Sequence, residues 1–189
     1  METQINTFIP LAGQNKIVSI FGYSSRAMPS LEINGIGHLA KNLKEKIIYL
    51  TRTRKLQVPQ KRFVICVDAI ELAASKQTEL KWLEFPILLC FWHLSGILPI
   101  HKLDDCLTSG TVSCQGEVRH LPFAKDFYPE IIQSHMIEAK KLKHITNENT
   151  ASPFSVINSQ LLLEHVPKMK FCDDYIESSS AIPSKPFIT

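Results

Sequence analysis

The feature that most constrains the fold is the apolar stretch Phe85–Leu94, which contains no Asp, Glu, Lys or Arg. Pro86 suits the first turn of a helix, and Gly96, followed by Pro99, suits its end. The segment therefore predicts a helix of about 11–12 residues within Glu84–Ser95. A helix this apolar has no face suited to water, so we expect it to lie in the core.

A membrane-spanning segment is the alternative for this region. Trp82–Ile100 carries only Glu84 and His93 as ionisable groups, and about 17–25 apolar residues suffice to cross a bilayer. The helix signals favour a core helix, because the segment between them is too short to span. Met1–Gln4 has no basic start followed by an apolar run, and the five cysteines are an odd number. We therefore expect a cytoplasmic protein without a membrane partner.

The pattern of apolar residues predicts an α/β fold. Short apolar or alternating runs predict strands, and the recurrence of Leu39, Leu43, Ile47 and Leu50 predicts a helix. The predicted strands are Thr7–Pro10, Lys16–Gly22, Ser30–Asn34, Arg62–Val67 (central and covered on both faces), the Thr111–Arg119 hairpin and Phe154–Ile157. The further predicted helices are Pro129–Lys143 and Ser159–Val166, the latter N-capped by Asn158. Ala69–Lys81 is predicted as loop.

These segments predict a two-layer domain, a mixed sheet of about five or six strands with three or four helices on one face. The domain is expected to cover residues 1–171. Residues 172–189 are rich in Ser and Pro and are expected to form a flexible tail or linker.

The order of several blocks resembles the N-terminal domain of the magnesium-chelatase-like AAA+ proteins, the family of competence protein ComM. A short strand precedes a charged helix, a second strand follows, and the apolar helix and a hairpin come next. The blocks that carry the resemblance are Ala27–Gly37, Ala40–Ile47, Leu56–Ala69, Leu83–Gly96, Gly110–Arg119, Ile145–Asn149 and Phe154–Val156. Asp68–Leu72 departs from the family's L-A-P-A-D-L pattern, and bulky Leu89 and Cys90 replace small residues.

The resemblance implies the fold shared by Lon-type proteolytic domains and a ribosomal-protein second domain. It also implies a non-catalytic interaction domain that assembles with an AAA+ ATPase module, or with further copies of itself, in DNA processing. No G-x-x-x-x-G-K-[ST] phosphate loop is present, and Gly35-Ile36-Gly37 is better explained as a strand-to-helix turn. No cofactor, metal, catalytic residue or small-molecule substrate is predicted.

A relic of a Lon-like Ser–Lys peptidase is a second alternative. Lys125 lies where the resemblance places that family's lysine, but no Ser, Thr or Cys stands near Lys81–Trp82, where the nucleophile belongs. We therefore expect Lys125 to be a surface lysine and any such relic to be inactive. Cys90-x-x-His93 has the spacing of half a zinc site, but it lacks a matching second pair among Cys106, Cys114 and His120, so core packing is expected.

The candidate functional surface is the basic segment Lys41–Arg62. It holds eight basic residues and one acid, a net charge of +7 in a chain whose net charge is +3. Clustered Lys and Arg permit contact with phosphates, so nucleic-acid binding, DNA included, is the first alternative function. A solvated helix face followed by a charged loop explains the same pattern. The candidate residues for an anionic partner are Lys41, Lys44, Arg52, Arg54, Lys55, Lys61 and Arg62.

Overall fold

A seven-stranded mixed sheet with two long helices on one face forms the centre of the computed structural model. The structure describes residues 1–11, 14–68, 72, 77–122, 142–147, 152, 154–164 and 166. The strands are β1 (Glu2–Leu11), β2 (Gln14–Ser25), β3 (Ser30–Asn34), β4 (Arg62–Asp68), β5 (Cys106–Leu107), β6 (Gly110–Val112), β7 (Val118–His120), β8 (Lys143–Thr146) and β9 (Ser155–Asn158). The helices are α1 (Leu39–Thr53), α2 (Gln77–Leu80), α3 (Glu84–Leu94) and α4 (Ser159–Glu164).

The sheet has the strand order β3-β4-β2-β1-β5-β8-β9, and β6 and β7 form a separate two-stranded hairpin. β1 and β2 pair in antiparallel register from Glu2–Tyr23 to Leu11–Gln14, so both strands extend beyond the predicted Thr7–Pro10 and Lys16–Gly22. The predicted α/β class is confirmed, whereas the main sheet has more strands than the five or six expected.

α1 connects the parallel strands β3 and β4. Gly35 and Gly37 adopt positive φ angles of 91° and 56°, which allows the chain to leave β3 and begin the helix within a few residues. A Cβ on Gly35 would lie 2.4 Å from the Val67 carbonyl oxygen. α1 buries Leu43, Ile47 and Leu50, as its periodicity predicted.

α3 is the core helix that the sequence predicted. Every residue from Phe85 to Leu94 is buried, whereas Glu84 is partly exposed. Gly22 on β2 allows close approach, because a Cβ there would lie 3.0 Å from Leu94 Cδ1. On its α1 side, Trp92 Nε1 donates a hydrogen bond of 3.1 Å to Thr51 Oγ1. α3 is therefore enclosed by the sheet and by α1.

The first turn of α3 holds the β6–β7 hairpin. Glu84 accepts a hydrogen bond from the Val112 N–H at 3.0 Å and forms an ion pair with Lys46 at 2.7 Å. Lys46 also donates to the Val112 carbonyl. At the other end of the hairpin, the rings of Phe85 and His120 meet edge to face at 5.3 Å. Helix α1, helix α3 and the hairpin are thus joined around Glu84.

The structure corrects the predicted position of Arg62–Val67. β4 lies second from one edge of the sheet, not at its centre. Phe63, Ile65 and Val67 are buried beneath the helices, but Arg62 and Cys66 are only half-buried and Asp68 is exposed. The continuous apolar run predicted burial of both faces of the strand. On the face of β4 that points away from the helices, however, Val64 is the one buried residue.

The predicted loop Ala69–Lys81 is wrong at its end. Gln77–Leu80 forms α2, and Lys81–Leu83 continues as a 3₁₀ turn into α3. Leu80 and Leu83 are buried, so these turns add to the core. The sequence signal was weak because the segment is short and polar, and its order comes from packing.

Strand β8 was also missed. Residues 143 and 144, assigned to the end of the Pro129–Lys143 helix or just after it, belong to β8, where Lys143 forms an ion pair with Asp105 at 2.7 Å. Leu142, also assigned to that helix, is buried and not helical. Residues 129–141 of the predicted helix, the domain boundary at 171 and Lys125 lie outside the described residues. No helix in the described part is long and apolar enough to cross a membrane.

We predict that Gly22→Ala destabilises the fold, because an added Cβ would lie 2.8 Å from the Val64 carbonyl oxygen and 3.3 Å from Cys90 Sγ. The carbonyl belongs to the backbone and cannot move aside cheaply, so we expect a loss of about 1–3 kcal/mol in the free energy of unfolding. Urea denaturation measures this change. Ser25→Ala, at the partly exposed end of the same strand, is the matched control. Equal stability of Gly22→Ala and the wild type would contradict the close approach of α3 to β2.

Candidate functional site

The seven predicted anion-contacting residues do not form one surface. Lys41 and Arg52 are exposed on α1 and Lys44 is half-buried. Helical spacing places Lys41 and Arg52 on the side of α1 opposite to buried Leu43 and Ile47, whereas Lys44 lies on the flank of the helix, three residues before Ile47. We call Lys41, Lys44 and Arg52 the basic stripe.

Arg62 lies on the sheet, paired with an acid. Its Nε and Nη2 donate to the two carboxylate oxygens of Glu32 at 2.8 and 2.7 Å. This bidentate contact lowers the pKa of Glu32 and raises that of Arg62. Arg62 is therefore compensated within the chain, and its contribution to an anionic partner surface is reduced.

Arg54 is directed toward the hairpin. Its guanidinium lies 5.7 Å from the centroid of the Trp92 ring, and Nη2 donates to the Gly116 carbonyl at 3.4 Å. A Cβ on Gly116 would lie 2.6 Å from Arg54 Nη2. Arg54 thus packs the β6–β7 turn against the end of α1.

Lys55 and Lys61 follow α1. The Leu56 N–H bonds to the Thr51 carbonyl and the Lys55 N–H to the Arg52 carbonyl, which is the Schellman pattern of a helix end. Lys55 has a φ of 55°, a conformation that glycine adopts with less strain. Lys61 is half-buried just before β4. Lys55 therefore lies at the C-terminal end of α1, beside Arg52.

A cleft of about 1180 Å³ opens beside this helix end. The residues after α1, the β6–β7 turn, the segment after β8 and helix α4 contribute to its walls. The wall residues include Arg54, Lys55, Gln115, Glu117, Asn147, Asn158, Ser159, Gln160 and Glu164. The lining combines two cations, two carboxylates and several amides, so the cleft is polar without a dominant charge.

Three polar side chains meet beside this cleft, and two of them, Asn147 and Ser159, line it. His120 ends β7, Asn147 follows β8, and Ser159 begins α4. His120 Nε2 lies 2.8 Å from Ser159 Oγ, and Ser159 Oγ donates to Asn147 Oδ1 at 3.0 Å. We call these residues the Ser159 cluster. The Asn158 side chain caps α4, as predicted, by accepting from the Gln160 and Leu161 N–H groups.

Two histidines near this region are held neutral. Burial lowers the pKa of His120 to about 4, with the Ser109 backbone acting in the opposite direction. Burial, assisted by His120, lowers the pKa of His144 to about 4. His144 Nδ1 lies 3.0 Å from Ser152 Oγ. Both imidazoles are therefore uncharged at neutral pH.

Cys90 and His93 lie in the core, as expected. Cys90 and His93 are buried in α3, and burial raises the pKa of the Cys90 thiol to about 12. His93 Nε2 lies 3.3 Å from the His101 carbonyl oxygen. Cys106 is buried in β5 and Cys114 is exposed in the hairpin turn. Within the described ranges, no group of three or more His, Cys, Asp or Glu side chains is arranged to hold a metal ion.

Sequence reasoning missed the Ser159 cluster. Its members are separated by 39 residues between His120 and Ser159 and by 12 between Asn147 and Ser159. No spacing motif connects them, because the strand order of the sheet and the position of the hairpin bring them together. His120 had been considered only as a metal ligand without a partner.

We predict that stability falls as the pH is lowered from about 6.5 toward 4. The unfolded chain, with a His pKa near 6.5, binds protons before folded His144 does, because the folded pKa is about 4. At pH 5 this difference costs about 2 kcal/mol for His144. Urea unfolding at pH 7 and pH 5 measures it. His144→Gln should reduce the pH dependence and exposed His101→Gln should not; an unchanged pH dependence in His144→Gln would contradict the assignment.

In the comparisons with known proteins, no family model matches the chain and no curated protein is significantly similar to it.

Proposed function

We propose that this chain is an interaction domain of the ComM and magnesium-chelatase-like kind, which assembles with an AAA+ ATPase module. The observation that supports the proposal is the order of the described elements. A short strand, β3, precedes the charged helix α1, β4 follows, and the buried helix α3 and the β6–β7 hairpin come next. β9 and α4 then complete the order that the sequence resemblance implies.

The finer fold belongs to the same proposal. We assign the β1-β2-β3-α1-β4-α3 unit to the architecture of Lon-type proteolytic domains and the ribosomal-protein second domain. Both long helices lie on one face of the sheet, as the two-layer arrangement requires. The hairpin and the strands β5, β8 and β9 follow this unit in sequence.

We predict that the tagged chain, expressed at its native level, retains an AAA+ ATPase through affinity purification and nuclease treatment. A direct protein interface does not depend on bridging nucleic acid, so nuclease should leave the partner in place. Mass spectrometry identifies the partner, and a tagged unrelated protein of similar charge is the control. Recovery of the chain alone, as a monomer without AAA+ enrichment, would contradict the proposal.

Nucleic-acid binding is the second candidate function, and the basic stripe is the observation that favours it. Lys41 and Arg52 project from the solvent side of α1 and Lys44 from its flank; Glu45, the one acid of the helix, lies on the same side as Lys41 and Arg52. Tyr49, 55% exposed, lies three residues before Arg52. Cations beside an exposed aromatic ring suit a phosphate backbone and a stacked base. Because Arg62 is paired with Glu32, the candidate surface is smaller than the sequence indicated.

We predict that replacing Lys41, Lys44 and Arg52 together by Gln weakens DNA binding and lowers its salt dependence. Each lost phosphate contact removes about 0.9 from the log–log salt slope, so the triple variant should lose about 2–3. Fluorescence anisotropy with a labelled oligonucleotide at several salt concentrations measures both quantities. A triple variant of Arg26, Lys81 and Lys102, which are exposed elsewhere, is the charge-matched control. An unchanged slope in the stripe variant would exclude this surface.

A further inference from the structure

The Ser159 cluster has the geometry of a hydroxyl group beside a base. Ser159 Oγ and His120 Nε2 are 2.8 Å apart, which is within the range for direct proton transfer. Ser159, which is 1% exposed, is among the residues that line the cleft, whose 1180 Å³ would accommodate a small organic molecule, and His120 lies behind it. The two residues come from separate elements, the hairpin and the C-terminal strand–helix unit.

The surroundings of His120 suit a neutral base. The Phe85 ring packs edge to face against the imidazole, and the contacts of β7 with β6 place its backbone beside Gly110. His120 has His144 as a titratable neighbour, and that imidazole is itself buried and neutral. Among the described residues, His120 Nδ1 has no hydrogen-bond partner, so the ring is not engaged on both sides.

The observed hydrogen bonds define a resting arrangement. Ser159 donates its proton to Asn147 Oδ1, so His120 Nε2–H donates to Ser159 Oγ and Nδ1 carries no proton. A half-turn of the Asn147 amide would direct Nδ2–H to Ser159 Oγ. With the imidazole proton on Nδ1 instead, the Ser159 hydroxyl then donates to Nε2. This second arrangement is the reactive one.

We propose that Ser159 and His120 form a nucleophile–base pair that takes an acyl group from a small polar ester bound in the cleft. Ser159 Oγ forms a bond to the ester carbonyl carbon while its proton moves to His120 Nε2. The bond from that carbon to the alcohol oxygen then breaks, and the alcohol leaves with the proton. Water, activated by the same imidazole, hydrolyses the acyl–serine ester and returns Ser159.

The cleft wall indicates the substrate class. Amide groups of Gln115 and Gln160 can donate and accept hydrogen bonds, and Arg54 adds a cation near the hairpin turn. These groups suit an ester with polar substituents rather than a long hydrocarbon chain. The proposal goes beyond assembly with an AAA+ module and stands or falls separately from it.

The test uses the full chain and two serine-directed reagents, a fluorophosphonate probe and p-nitrophenyl acetate. We expect mass spectrometry to find the fluorophosphonate on Ser159, and Ser159→Ala to lose the label. His120→Gln should slow labelling by about 10²–10⁴-fold, the usual contribution of a positioned base. Ser155→Ala, exposed on β9, should label as the wild type does. Circular dichroism and thermal unfolding establish that each variant is folded.

A pH profile of the wild type provides a readout that does not depend on the variants. With His120 neutral, the labelling rate should be nearly flat between about pH 5.5 and 8, whereas an unassisted hydroxyl would react about tenfold faster per pH unit. Absence of label on Ser159 in the folded wild type would overturn the proposal. A tenfold rise per pH unit, or equal labelling of folded His120→Gln, would do the same.

Discussion

Burial of α3 is the constraint on which the rest of the structure depends. Ten consecutive buried residues leave this helix without a solvent face, so it must be covered on all sides. The sheet covers one side, where Gly22 permits contact with Leu94, and α1 covers another, where Thr51 satisfies the Trp92 indole. The hairpin covers the beginning of the helix through Phe85 and Glu84. Residues distant in sequence therefore pack around one apolar element.

The same packing determines the positions of both candidate sites. α1 must bury Leu43, Ile47 and Leu50 toward the core, which leaves Lys41 and Arg52 on the opposite, solvent side and Lys44 on the flank of the helix. The hairpin is held by Glu84 at one end and Phe85 at the other, so His120 is placed beside α4. The packing of α1 on α3 thus positions the basic stripe, and the packing of the hairpin on α3 positions the Ser159 cluster.

Local sequence patterns predicted the elements whose apolar residues repeat over a whole helix or strand. Helix α1, helix α3, strand β3 and the Asn158 cap were predicted because propensity and burial agree there. Strands β5 and β8 were missed, since each has at most four residues and is ordered by its neighbours in the parallel ladder. The Ser159 cluster was missed for the same reason: its residues share no local pattern.

Basic residues that are close in sequence do not form one charged surface in the structure. The segment Lys41–Arg62 has a net charge of +7, yet Arg62 pairs with Glu32 on the sheet and Arg54 packs on Trp92. A helix distributes neighbouring residues around its axis, and a strand separates its own residues from those of the helix before it. The basic residues of the segment are therefore divided between α1, the residues that follow it and the sheet. Any anionic partner must follow the axis of α1 to meet Lys41 and Arg52 together.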